Sequence, residues 1–205
     1  MQLTSAQLIS PAAARNFEPI CEVLASLLPD HGQVLEIASG PGQHVCGFGR
    51  RFGHVQWQPS DADPRALASI AAWRESAALA NVRPPLHLDV TAHHWPLDFN
   101  ALPSVILAIN LCHIAPWQVT LGLVYGAGRY LHAGGKLLVY GPFKRAGEHT
   151  APSNAAFDQS LRRADPAHGV RDMDEVIIYA NTQELNLEQI HAMPSNNFLV
   201  EFEHL

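Results

Sequence analysis

The chain has 205 residues, 47% hydrophobic and 16% charged, with a formal net charge of −6. This fits one α/β domain with a sizeable core, and it leaves no basic footprint for nucleic acid. Cys21, Cys46 and Cys112 form no CxxC pair, which argues against a disulfide framework or a structural zinc and fits a reducing cytosol. No basic stretch followed by an apolar one opens the chain, and no window has the length of a membrane span. A cytoplasmic protein with no membrane partner is expected.

Ser10-Pro11 opens a helix in the cap-then-proline order, and a second helix is expected from Pro19 to Leu28. Residues 1–30 thus read as a helical segment able to fold over a pocket as a lid. Strands are expected at 33–38, 55–59, 86–89, 104–110 and 135–141, with helices near 43–52, 64–78 and 116–132. Asp63 is placed to cap the second of these helices, with Pro64 at its first position. Residues 141–150 read as a long loop. A helix then runs from Ser153 to Asp165-Pro166, and Asp172-Met173-Asp174-Glu175 has the pattern of a capping box. Alternating strands at 185–192 and 197–203 are joined by Met193-Pro194-Ser195-Asn196. The whole predicts a single Rossmann-like domain over 1–205, a mixed seven-stranded sheet with helices on both faces and a C-terminal antiparallel hairpin.

The run Val34-Leu35-Glu36-Ile37-Ala38-Ser39-Gly40-Pro41-Gly42-Gln43-His44 is a buried strand, a small-residue turn and a helix start. In such a sheet, ligands bind beyond the carboxyl ends of the strands. A dinucleotide turn of the form GxGxxG would require glycine at Val45, and no lysine or arginine lies between Glu36 and Gly49. An acidic, glycine-lined turn suits a cationic ligand, so S-adenosylmethionine (SAM) is favoured over a phosphate cofactor. Glu36, Ala38, Ser39, Gly40, Gly42 and His44 are the candidate contacts. The competing reading is a tight strand-to-helix turn without a ligand.

Asp61 lies nineteen residues beyond Gly42, near the spacing at which an acidic residue takes ribose hydroxyls. Asp63 competes for that role but is better explained as a cap. Asp89 is a candidate acceptor for an adenine amino group, with a strand-end Asx turn as its alternative. Asn110 closes an apolar strand where burying a bare amide is costly, which puts it near the methionine end of the cofactor. His113 is a general-base candidate or a structural histidine, and Trp117 packs a helix start or forms an aromatic wall near a methyl donor. His149 and Tyr140 stand behind His113 as bases. No spacing among the twelve histidines reads as a metal site, and adjacent His93 and His94 are expected to point apart.

The motifs resemble those of an uncharacterised family of class I SAM-dependent methyltransferase-like proteins, a domain of unknown function with a mammalian methyltransferase-like member. The resemblance is carried by Ala14-Arg15-Asn16, Leu35-Glu36-Ile37-Ala38-Ser39-Gly40, Gly42-Gln43-His44 and Trp57-Gln58-Pro59-Ser60-Asp61. Further matches are Asn110, His113-Ile114, Pro116-Trp117, Gly126-Ala127-Gly128-Arg129 and Tyr140-Gly141-Pro142-Phe143. Ser153-Asn154, Phe157-Asp158, Gly169-Val170-Arg171-Asp172 and Met193-Pro194-Ser195-Asn196-Asn197 complete the set. Pro41 departs from the pattern, because a proline there offers no N–H to a ligand.

The resemblance implies a SAM-binding fold and leaves the methyl acceptor open. A small-molecule acceptor is expected, with Arg15, Asn16 and Trp117 as candidate contacts. The alternative is a non-catalytic SAM- or nucleoside-binding protein, and an NAD-dependent oxidoreductase is disfavoured by the missing third glycine.

Overall fold

The computed structural model describes residues 6–98 and 101–205. In chain order the elements are α1 (Pro11–Leu27), β1 (Gln33–Ile37), α2 (Gln43–Arg51), β2 (Gln56–Asp61), α3 (Pro64–Ala77), β3 (Leu86–His87) and β4 (Val105–Ile109). There follow α4 (Trp117–Tyr130), β5 (Lys136–Gly141), β6 (Phe143–Arg145), β7 (Glu148–His149), α5 (Pro152–Ala164), β8 (Arg171–Asp172), α6 (Met173–Asn181), β9 (Leu185–Met193) and β10 (Asn197–His204). Seven strands form one mixed sheet in the order β3-β2-β1-β4-β5-β10-β9, and β7-β6-β8 form a smaller one. The chain divides into two compact units, one of Met1–Asp89 with Pro103–Leu107, the other of Val90–Leu102 with Ala108–Leu205.

In the first unit β1 and β2 run parallel, with Val34 opposite Trp57 and Glu36 opposite Pro59. β3 is shorter than the expected 86–89, pairing with β2 only through Leu86 and His87. One helix, α1, replaces the two expected at the N-terminus. Ser10 caps it, its hydroxyl accepting from the Ala13 amide at 3.3 Å. Pro19 removes one rung from its interior, yet the buried stripe Ala13, Asn16, Ile20 and Leu24 runs through uninterrupted. The burial of that stripe outweighs the missing hydrogen bond. Phe17, Phe48 and Trp57 stack in series, with centroids 5.3 and 5.2 Å apart. Gly47 gives Phe17 its place, since a Cβ there would collide with the ring. Asp63 caps α3 as expected, its carboxylate accepting from the Arg65 amide at 2.9 Å.

In the second unit β10 is antiparallel to both β5 and β9, with Leu199 opposite Tyr140 on one side and His191 on the other. The hairpin expected at Met193–Asn196 is present. Its turn holds Ser195 and Asn196 in the left-handed region, at φ 60° and 57°. Buried Asn154 of α5 fixes that turn by donating from its amide to the Asn196 carbonyl at 3.0 Å. The loop expected over 141–150 is instead an antiparallel ribbon, β6 with β7, and β8 adds in parallel to β6. A two-residue strand has no period to read, and its partner lies far off along the chain. Ala146 and Gly147 make the ribbon's turn at φ 50° and 80°, and their amides donate to the carboxylates of Asp174 and Asp172. Asp172 also caps α6 by accepting from the Asp174 amide at 2.9 Å.

A further correction concerns His93 and His94. Their ring centroids lie 4.4 Å apart with the planes inclined at 72°, and Nδ1 of His93 is 3.1 Å from Nε2 of His94. The irregular backbone here turns the two side chains toward one another, where an extended strand would alternate them.

Candidate functional site

In the first unit, β1 carries Glu36 next to its last residue and leads into a tight turn. Ala38 follows the strand directly and takes a left-handed conformation at φ 53°, a strain that a non-glycine residue bears where the backbone is over-determined. The Ser39 amide donates to the Ser60 carbonyl at 2.8 Å, and its hydroxyl to the Glu36 carbonyl at 3.3 Å. Gly40, at φ 55°, donates its amide to Asp61 Oδ2 at 2.9 Å, and the Asp63 amide donates to Oδ1 at 2.9 Å. The turn and the end of β2 are thus tied together by Asp61 itself.

The two glycines of the turn have different reasons to be glycine. A Cβ on Gly40 would come no nearer than 4.0 Å to any neighbour, so the space beside it is open. A Cβ on Gly42 would lie 2.8 Å from the Ile70 Cα, so α3 packs directly against that position. Gly42 is therefore required by helix packing, while Gly40 alone has room for a ligand to approach. The Pro41 carbonyl accepts from the Ser69 hydroxyl at 2.7 Å.

Glu36 is 2% exposed, and its Oε2 is buried without a hydrogen-bond partner. Burial pushes its carboxyl up to about 8, partly offset by a hydrogen bond with Ser39 and reinforced by the Asp61 charge. His44 lies on α2, its Nε2 2.9 Å from the side-chain oxygen of buried Asn16. Burial holds the His44 imidazole down to about 4. Its ring stacks on Phe48, which anchors it within the α1–α2 packing. Beside it, Ala13, Ala14, Phe17, Gln43, His44 and Gly47 line a cavity of about 190 Å³. Arg15 is exposed on α1, and Asp89 is exposed beyond β3.

In the second unit the residue after β4 repeats the conformation found after β1. Asn110 sits at φ 59°, and its amide donates to the Tyr140 carbonyl at 2.9 Å. Asparagine bears that conformation more readily than alanine does. His113 packs against Gly141, where a Cβ would lie 3.2 Å from Nδ1, and its ring meets Phe157 edge-on at 5.5 Å. The structure therefore brings Asn110, His113 and buried Tyr140 into one neighbourhood. Burial, helped by the charges of Arg171 and His168, holds the His113 imidazole down to about 4. It is neutral at pH 7 and a weak base. His149 is on β7, its Nε2 3.3 Å from Asp158 Oδ2 and its Nδ1 buried without a partner.

Two residues organise this region without having been singled out as site candidates. Arg171 donates to the carbonyls of Cys112 at 2.9 Å, Ala115, and Ala167 at 2.8 Å, and its guanidinium lies 5.9 Å from the Trp117 ring centroid. It therefore ties the segment bearing His113, through Cys112 and Ala115, to the connection that follows α5. Asp158 accepts from the Val170 amide at 2.7 Å and from Arg162 at 3.2 Å, with Lys144 at 3.6 Å. Burial alone would raise its carboxyl, but the Val170, Arg162 and Lys144 contacts hold it below the usual carboxylate range. The motifs Gly169-Val170-Arg171-Asp172 and Phe157-Asp158 were the available signal, but their partners lie on other elements.

Among the described residues, no three or more His, Cys, Asp or Glu side chains group so as to hold a metal ion. No described helix is long and apolar enough to cross a membrane.

The mixed seven-stranded sheet with its flanking helices is the Rossmann-like fold of class I methyltransferases. TnmH matches at a TM-score of 0.77 with 16% identity, over 95% of this chain and 55% of that one. CalO1, a methyltransferase in calicheamicin biosynthesis solved with SAH bound, matches at 0.76 with 15% identity, over 95% and 54%. An O-methyltransferase family 2 protein from Planctomyces limnophilus, solved with apigenin, matches at 0.76 with 19% identity, over 98% and 62%. The chain thus spans little more than half the length of these solved proteins. It belongs to the family described as protein of unknown function (DUF938), whose model matches residues 7–204.

Proposed function

We propose that the chain is a cytoplasmic SAM-dependent methyltransferase, a single domain over 1–205 whose acceptor is a small molecule. The observation that carries this reading is the buried Glu36 carboxyl, whose Oε2 has no hydrogen-bond partner, on the strand that leads into the turn with open space at Gly40. Such a carboxyl suits a ligand with positive charge, and SAM carries both a sulfonium and an ammonium. The fold likeness to a methyltransferase solved with SAH and to an O-methyltransferase solved with apigenin supports the same class of ligand and acceptor.

SAM supplies an electrophilic methyl group, and its transfer is an in-line displacement at carbon. Catalysis of such a step is largely the positioning of donor and acceptor. Glu36, Ala38, Ser39, Gly40 and Asp61 are the candidates to hold the cofactor, with Gly42 and His44 supporting the turn from behind. Asp89 and Asn110 remain candidates for its adenine and methionine ends. Arg15, Asn16 and Trp117 are candidate acceptor contacts. His113, His149 and Tyr140 are the candidate bases where the acceptor must lose a proton. Arg171 holds the His113 segment in place. The test is transfer of label from methyl-labelled SAM into a small-molecule extract. Enzyme-dependent labelling is expected, and its absence with SAM bound would leave a non-catalytic SAM-binding protein.

A further inference from the structure

We propose that residues 7–10 are a strap that regulates the turn after β1, and that Ser69 is the positioning residue between the two. Closure of the strap and binding of SAM then strengthen one another. This rests on the SAM reading above. All the groups involved lie within the first unit. The Gln7 side-chain amide donates to the Ala72 carbonyl at 3.3 Å and to the Ser76 hydroxyl at 2.8 Å. Trp73 Nε1 donates to the Leu8 carbonyl at 2.9 Å. The Leu8 amide donates to the Ser69 hydroxyl at 2.8 Å, and the Ser10 amide to the Gln43 side-chain oxygen. The strap therefore links α3 to Gln43, the first residue of α2 and the one that follows Gly42. Leu8 and Ile9 remain 49% and 56% exposed, so polar contacts rather than burial of these two side chains hold it down. A segment held in this way opens locally well before the fold does.

Ser69 carries the coupling. It is fully buried, and its hydroxyl has one proton and two lone pairs to place. The Leu8 amide takes a lone pair, and the proton goes to the Pro41 carbonyl at 2.7 Å. Pro41 has no N–H, so that carbonyl is its sole backbone hydrogen-bonding group. On the other edge of the same peptide, the Gly42 amide donates to the Ser39 carbonyl at 3.0 Å. One peptide plane of the turn is thus tied through Ser69 on one side and Ser39 on the other. Release of the strap takes the donor from the Ser69 hydroxyl and lets it turn away from Pro41, which costs that plane one of its two ties. Two equilibria that share one hydroxyl are reciprocal: what the strap adds to SAM affinity, SAM adds to strap closure.

The test pairs calorimetric titration of the full chain with SAM and amide hydrogen exchange at Leu8. Trp73→Phe removes a donor to the strap and leaves the turn itself untouched. It is expected to weaken SAM about fivefold, the lower end of coupling between sites. Ser69→Ala is expected to weaken SAM by about tenfold or more, the scale of a lost buried hydrogen bond. Trp73→Phe should add little in that background, because the shared link is already broken. In the wild type, SAM is expected to slow exchange of the Leu8 amide by a similar factor, about fivefold. A merely structural strap would lower stability in the variants and leave SAM affinity and the exchange response unchanged. That result, in Trp73→Phe alone if Ser69→Ala does not fold, overturns the proposal while leaving the cofactor assignment standing. A wild-type protein that does not bind SAM overturns the cofactor assignment, and the coupling with it.

Discussion

Glu36 and Asp158 are both buried carboxyl groups, 2% and 5% exposed, yet their surroundings are opposite. Asp158 accepts from Val170 and from Arg162 of its own helix, with Lys144 and His149 within 3.6 Å, and its charge helps to hold α5 to its neighbours. Glu36 has no cation and one oxygen without a partner. A buried carboxylate saturated by its own chain is cohesive. One left unsatisfied costs stability, and such a cost persists where something outside the chain completes it. The difference separates a structural acid from a binding acid better than burial does.

The comparison breaks most visibly at Asp158. Asp158→Ala leaves the buried Val170 amide without its acceptor and Arg162 and Lys144 without their shared partner, and is expected to cost about 1–3 kcal/mol in urea denaturation. A loss under 1 kcal/mol would show that the cluster is not cohesive. The opposite sign is expected at Glu36. A carboxyl raised to about 8 contributes stability that is present below its unfolded value near 4.5 and lost as pH rises toward 8. Glu36→Gln does not titrate, so the variant should gain on the wild type by on the order of 2 kcal/mol between pH 5 and pH 7. Parallel stability curves over that range would contradict the assignment.

Asp61 should show its effect in binding. Removing its carboxylate in Asp61→Ala is expected to weaken SAM by about tenfold or more, the scale of one lost charged hydrogen bond. Equal affinity in a folded variant would remove Asp61 from the site. The smallest effect belongs to Arg15, exposed on α1. Arg15→Ala should change stability by less than about 0.5 kcal/mol, so any loss of turnover in that variant would report on the acceptor.

The parts legible in the sequence were those written locally. The strand–turn–helix around Glu36, the Asp63 and Asp172 caps and the C-terminal hairpin each depend on residues a few positions apart, and all are present. Merging two expected helices into α1 came from a buried stripe that Pro19 does not interrupt. The β6–β7–β8 ribbon, the Arg171 contacts and the Asp158 cluster were hidden because each joins segments far apart in the chain. Gly42 shows a subtler gap. A glycine in such a turn suggests room for a ligand, whereas Ile70 of α3 fills that room. Sequence placed the glycine correctly, and only packing supplied its reason.

The central claim is that the turn after β1 receives SAM, and a thermal-shift comparison of SAM, SAH, NAD and ATP tests it most directly. Stabilisation by SAM and SAH, diminished in Asp61→Ala, with no response to NAD or ATP, is the predicted result. Stabilisation by NAD or ATP with none by SAM would contradict it.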